Sequence, residues 1–190
     1  MTPKILAFAG SLRTESFNKK LIKIAVEGAR AAGGDVTLID LRDYPMPIYD
    51  GDIESAGFPE VVLTMKKLFL EHQGLLISTP EYNRSLPGVL KNTIDWVSRS
   101  APGESPLSAF TDKVAGLVAA SPGPVGGMRS LMHLRDILAH IKVLALPDQV
   151  TVSKANEAFN PDGTLKDAKQ AAAVHGVGKK LVETIRKLRS

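Results

Sequence analysis

Short, continuously apolar segments alternate with segments of helical periodicity along the whole chain, and this alternation constrains the fold more than any other feature. KILAFAG (4–10), GLLISTP (74–80) and KVAGLVAAS (113–121) are apolar at successive positions rather than at every second one. A strand that is apolar on both sides is buried on both faces, the condition of a strand inside a covered parallel sheet. DVTLIDL (35–41) and KVLALPDQVTV (142–152) supply two further strand segments. Between the first two strands, Phe17, Leu21, Ile22, Ala25, Val26 and Ala29 recur at nearly helical spacing until Gly33–Gly34 stops the pattern. Further helices are predicted from about Glu60 to His72, over VLKNTIDWVSR, from Met128 to His140, and from beyond the turn NPDG to Ser190. Residues 42–60 are predicted to be a loop, because Pro45, Pro47, Gly51 and Gly57 interrupt any period.

Strand–helix alternation repeated in this way predicts an α/β fold: a flavodoxin-like, doubly wound, five-stranded parallel sheet with helices on both faces. At 190 residues, with no linker, internal repeat or low-complexity tract, the chain (1–190) is predicted to be one domain. Such sheets bind ligands beyond the carboxyl ends of their strands, at the point where strand order reverses. Three loops are predicted to meet there: 10–18, 79–87 and 121–127.

Composition narrows the chemistry. The chain has no cysteine, which removes thiolate nucleophiles, disulfides and iron–sulfur ligation, so a redox enzyme built from it must borrow its electron carrier. The net charge of +4 and a pI near 9.3 favour anionic small molecules. No basic block is interleaved with aromatic residues, which argues against a nucleic-acid partner. No apolar run reaches membrane-spanning length and no leader pattern precedes the first strand, so a cytoplasmic protein without membrane contact is expected. His133 and His140 are seven residues apart on one predicted helix, about 10 Å along its axis and too far to share a metal. No metal site and no Ser–His–Asp arrangement is expected.

The stretch GSLRTESFN (10–18) carries an unusual number of donors for a strand-to-helix turn. Ser16 alone would suffice as an N-cap. A bound phosphate accounts for more of the stretch, because hydroxyls and peptide N–H groups donate, the helix dipole favours negative charge, and Arg13 adds a cation. The dinucleotide signature G-x-G-x-x-G is absent after the first strand, and AVHGVGKK is only a poor imitation of a triphosphate loop inside a predicted helix. A terminal monophosphate, such as that of FMN, fits a hydroxyl-rich loop. In STPEYNRSLPGVLKNTIDW (78–96), Pro80 ends a strand and PEYN makes a rigid turn. Ordinary turn chemistry and contact with the polar edge of a flavin both explain it. SPGPVGG (121–127) offers small residues where a flat ring could approach, or simply a turn before a helix.

Together, GSLRxxSFN and PEYNxSxPGxLKNxIDWxSR closely resemble the NADPH-dependent FMN reductase family, in its soluble quinone, chromate and azo reductase branch. The resemblance implies FMN as cofactor and NADPH or NADH as co-substrate. It implies hydride transfer through the flavin to a small-molecule electron acceptor: quinones, with azo compounds, chromate, ferric complexes or free flavin as further candidates. It places the FMN phosphate on Ser11, Arg13, Ser16, Phe17 and Asn18, the isoalloxazine beside Pro80, Glu81, Tyr82 and Asn83, and a third loop at Ser121, Pro122 and Gly123. No side chain is implied as catalytic, since the flavin carries the chemistry. A homodimer or homotetramer is implied. Asn92, Asp95 and Trp96 are left outside the site, Trp96 as a core or subunit-contact residue and Asp95 as a side chain satisfying nearby backbone donors. Where family members carry an aromatic residue after PEYN, this chain has Arg84, which would face the open side of the flavin, a neighbouring subunit, the phosphates of the nicotinamide cofactor, or solvent alone. The rival reading is a flavodoxin-type electron-transfer module that does not oxidise NAD(P)H; such carriers are acidic, and this chain is basic.

Overall fold

The computed structural model describes residues 1–189. Five strands, β1 (Lys4–Ala9), β2 (Asp35–Asp40), β3 (Gly74–Thr79), β4 (Val114–Ala120) and β5 (Leu144–Val152), form one sheet in the order β2-β1-β3-β4-β5, with every pairing parallel. This is the doubly wound order in which the chain reverses direction between β1 and β3. β3 and β4 are buried at every position, as their unbroken apolar runs require, whereas the edge strands β2 and β5 are only partly covered.

Alternate residues of each strand serve two cores. Ile5, Ala7 and Ala9 face α1 (Phe17–Ala31) and α7 (Ala168–Leu188). Leu6 and Phe8 face the other side, with α3 (Glu60–Glu71), α4 (Gly88–Val97) and α5 (Met128–His140). α1 and α7 cross at very short range. A Cβ on Gly28 would stand 2.0 Å from the His175 carbonyl oxygen, and one on Gly178 would stand 2.0 Å from that of Ala25. Glycine is needed there because no side chain fits between the two backbones.

One element corrects the expected loop at 42–60. Residues 51–56 form a short helix, α2 (Gly51–Ala56), inside the segment expected to be irregular. Asp50 caps it by accepting from the Asp52 N–H, and Gly57, at φ 131°, ends it. The four-residue α6 (Ala155–Ala158) follows β5. α7 ends at Leu188, and the last residue of the expected helix, Ser190, lies outside the described residues. At the outer edge, β5 contains Pro147, and its register against β4 shifts between Ala115 and Leu117.

Asn92 and Trp96 belong to the scaffold. The Asn92 side chain accepts from Tyr49 N–H and donates to the Pro47 carbonyl, to which the Trp96 indole also donates, all at 2.8 Å. Asp95 pairs with Lys91 one turn away, rather than with backbone donors.

The buried Lys113, at the entry to β4, donates to the His72 carbonyl. Burial, helped by the Arg189 guanidinium, pushes its ammonium down from 10.5 to about 8. The unfolded chain therefore holds this proton more tightly than the folded one. Below pH 8 both states are protonated and the cost is fully present; between about 8 and 10.5 the unfolded state binds more protons, so stability rises with pH. Denaturant unfolding is expected to show a gain of about 3 kcal/mol from this group across that window. Lys113→Met, compared with the parent at both ends, is expected to lose the gain; an identical pH profile in the variant would refute the assignment.

Candidate functional site

The site lies at the carboxyl ends of β1, β3 and β4, where the three predicted loops meet around a depression of about 50 Å³. Space of this kind holds one water in about 10–15 Å³, so the depression admits a group of phosphate size. Ser11, Arg13, Ser16, Phe17, Asn18, Pro80, Glu81, Tyr82, Ser121 and Pro122 all line it, as does Ala120. Asn83 and Gly123 lie outside the lining. Asn83 is at the tip of the second loop, and Gly123 donates its N–H to Ser121 Oγ at 3.3 Å.

Gly10 continues the β1–β3 ladder by donating to the Ser78 carbonyl at 2.8 Å, and the chain then turns across the strand ends. Three serine hydroxyls share one local geometry. Ser11 accepts from the N–H of Arg13, Ser16 from Asn18 and Ser121 from Gly123, each two residues on. Each hydroxyl hydrogen stays free to donate to a ligand. Ser16 caps α1 as expected. The peptide N–H groups of Leu12, Thr14, Glu15 and Phe17 donate to no protein acceptor among the described residues, and neither does the Arg13 guanidinium. The first turn of α1 holds no acidic side chain, so the positive end of its dipole is not neutralised from within. Of these donors, the hydroxyls of Ser11, Ser16 and Ser121, the Phe17 N–H and the Arg13 guanidinium belong to residues lining the depression, which is the chemistry of an anion site, whereas Thr14 and Glu15 line a neighbouring groove.

Asn18 differs from its neighbours. Nδ2 donates to the Ala120 carbonyl at 2.8 Å, while Oδ1 accepts from the Ala120 N–H at 2.9 Å and from Ser78 Oγ at 2.8 Å. The side chain stitches the start of α1 to β3 and β4, leaving one amide hydrogen toward the depression. Phe17 stacks on Phe159 at 5.8 Å, so its ring belongs to the packing.

In the second loop, Glu81 is also engaged. One carboxylate oxygen accepts from the Arg129 guanidinium at 2.8 Å and the other from the Arg129 N–H at 3.1 Å. An acid thus sits on the first turn of α5, whose N-cap, Gly127, offers no side chain. Tyr82 and Ser85 exchange both backbone hydrogen bonds at 3.0 Å, closing a two-residue turn through Asn83 (φ 49°) and Arg84 (φ 69°). Two successive positive φ values define a type I′ turn, where asparagine is common in the first position and glycine is preferred in the second. An arginine there costs about 1–2 kcal/mol. Ser85 Oγ lies 2.9 Å from His133 Nδ1 on α5, and Thr79 Oγ1 lies 3.0 Å from Ser130 Oγ, so the second loop is fastened to the helix that follows the third.

The third loop carries Gly126 and Gly127 at φ 62° and 92°. A Cβ on Gly127 would meet the Ala119 Cβ at 2.8 Å, so glycine is required for the chain to fold back onto β4.

Sequence reasoning missed Ala120, Arg129, Ser130 and His133 as parts of this site. Ala120 contributes backbone alone, and nothing in its residue type marks it. A larger groove, of about 520 Å³, lies on the β2 side of the opening loop. Lys19 pairs there with Asp40 and Lys20 with Glu15, while Lys23, Arg42 and Asp43 complete its charged lining. Burial raises the Asp40 carboxyl, but the Lys19 ammonium and the Arg42 N–H outweigh it and hold the group below the usual carboxylate range.

A model of the NADPH-dependent FMN reductase family matches residues 3–157. The chain belongs to the NADPH-dependent FMN reductase family. Within the family it is 36% identical over 187 residues to an NAD(P)H-dependent FMN reductase of Pseudomonas aeruginosa, covering 98% of this chain and 97% of the relative. It is 35% identical over 144 residues to a quinone reductase of Escherichia coli strain K12, covering 75% and 73%. Among solved structures it is similar to FerB, a flavoenzyme NAD(P)H:(acceptor) oxidoreductase of Paracoccus denitrificans. That match has a TM-score of 0.80 and 30% identity, over 98% of both chains. Family membership agrees with both sequence motifs and with the observed strand order.

Proposed function

We propose that this protein is an FMN-dependent NAD(P)H oxidoreductase that reduces quinones or similar small-molecule acceptors. One observation carries the reading: free hydroxyl and peptide donors, an unpartnered arginine and a helix N-terminus converge on a depression of phosphate size. The names of the family relatives support it. Azo compounds, chromate, ferric complexes and free flavin remain candidate acceptors through the family resemblance.

In this reading Ser11, Arg13, Ser16 and the N–H of Phe17 hold the FMN phosphate, with Asn18 bracing their loop and offering its last amide hydrogen. Pro80, Glu81, Tyr82 and Asn83 border the ring system, and Ser121, Pro122 and Gly123 close the third side. Bound FMN supplies the capacity to take a hydride from NAD(P)H and deliver it to an acceptor. The protein then needs to bind, orient and shield, and no side chain has to act as acid or base. Fastening the second loop to α5 through Glu81–Arg129 and Ser85–His133 serves orientation, because it limits how far the ring-side loop can swing. We also propose a cytoplasmic enzyme. Among the described residues no helix is long and apolar enough to cross a membrane. We propose a homodimer or homotetramer as well, which the family resemblance supports.

The test is an anaerobic absorbance titration of FMN-loaded, desalted protein with NADPH. Prompt bleaching of a retained flavin band is expected. A retained band that NADPH cannot bleach would instead favour a one-electron carrier, a reading the net charge of +4 already disfavours. Loss of the band on desalting would sink the assignment of the depression. Arg13→Ala is expected to weaken FMN binding about 10–100-fold in a fluorescence titration, the scale of one lost charge-assisted hydrogen bond, with the unfolding midpoint of the apoprotein unchanged.

A further inference from the structure

Arg84 occupies the most expensive position of the type I′ turn, where glycine would relieve the backbone. Nothing within the protein compensates. Among the described residues its guanidinium has no hydrogen bond, ion pair or aromatic partner, and it is exposed. The acid three residues before it, Glu81, cannot neutralise it, because both carboxylate oxygens are engaged by Arg129. The backbone that carries it is nevertheless held in place: the turn is closed by two backbone hydrogen bonds, and Ser85, the next residue, is tied to His133 on α5. Tyr82, two residues before Arg84, lines the depression. The fold therefore roots an unpaired cation, at a backbone cost, in a fixed turn of the loop whose Tyr82 lines the site.

We infer that Arg84 is a coenzyme-binding residue that recognises the phosphates of the nicotinamide coenzyme. The inference rests on the functional reading above, which makes NAD(P)H a substrate approaching the ring-side loop. Against a neutral quinone the coenzyme is the multiply charged substrate, and it must bind and leave at every turnover. An exposed arginine suits that exchange, because it forms directed contacts with phosphate oxygens yet is screened enough by solvent to release them. The FMN phosphate is served by the donors of residues 11–17 and needs nothing from Arg84.

The experiment compares the parent, Arg84→Gly and Arg84→Lys, each loaded with FMN, in steady-state assays with a neutral benzoquinone as acceptor. Arg84→Gly keeps the turn, since glycine favours its backbone angles, so misfolding does not confound the result. It is expected to raise KM for the coenzyme about 5–20-fold with kcat within twofold, to leave FMN affinity unchanged, and to flatten the dependence of KM on ionic strength. Arg84→Lys is expected to recover part of the loss. A rise confined to NADPH assigns the contact to the 2′-phosphate, and an equal rise for NADPH and NADH assigns it to the diphosphate; both outcomes support the inference. An unchanged KM for both coenzymes would overturn it, as would a rise seen only for an anionic acceptor such as ferricyanide. If the parent itself retains no FMN or is not reduced by NADPH, the functional reading fails and the inference falls with it. If the parent behaves as expected and Arg84→Gly matches it, the inference alone fails.

Discussion

Replacing Asn18 by alanine is expected to destabilise the protein by about 3–5 kcal/mol and to abolish measurable FMN retention. The change removes three hydrogen bonds at once and strands the N–H and C=O of Ala120 and the hydroxyl of Ser78 in a buried setting. Unsatisfied buried groups of this kind cost about 1–3 kcal/mol each, although the losses share one side chain and are not strictly additive. Asn18→Asp restores the acceptor but not the donor, and is expected to recover only part of the loss. Urea unfolding of the apoprotein is the decisive measurement, because it has no ligand contribution. A loss below about 1 kcal/mol, accompanied by weaker FMN binding, would show that Asn18 serves the ligand and not the scaffold.

The crossing of α1 and α7 yields the second large effect, with a sign that distinguishes it from ordinary helix propensity. Glycine to alanine inside a helix normally stabilises by about 0.5–1 kcal/mol. At Gly28 and Gly178 the added methyl would stand 2.0 Å from a backbone oxygen of the opposite helix, so the helices must separate along their contact. Each substitution is expected to cost about 3 kcal/mol or more. Gly176, also on α7, is an internal control: a Cβ there meets nothing within 4 Å, and Gly176→Ala is expected to stabilise. The double variant Gly28→Ala, Gly178→Ala should cost less than the sum of the singles, since one separation relieves both clashes. Denaturant midpoints for the four variants check all of this, and a stabilising Gly178→Ala would mean the helices are not in close contact.

Most of the fold was legible because burial on both faces leaves its mark on every residue of a strand. β3 and β4 read as unbroken apolar runs for the same reason that they are central in the sheet. α2 was hidden because Pro45, Pro47, Gly51 and Gly57 outweighed a local signal that was present, the Asp50 cap ahead of Asp52 and Glu54. In the site, the identities of the lining residues were legible, but their division of labour was not. Asn18 and Ser16 look equally suited to a phosphate in the sequence; only the fold brings Ala120, 102 residues away, to consume one of them. Glu81 is committed in the same way by Arg129, 48 residues away. Donor-rich motifs thus report which side chains reach a site, while long-range partners decide which remain free for a ligand.

Pro147 and the register shift on β5 also bear on how this protein behaves in a crowd. An exposed parallel edge is a template on which a foreign strand can grow, and central strands as apolar as β3 and β4 would join such a growth readily if they were briefly released. Proline withholds one of the donors that a newcomer would need, and the slipped register prevents a straight ladder from forming beside it. This irregularity therefore blunts the β5 edge, so that a chain with two strongly apolar inner strands offers a foreign strand little to grow on there.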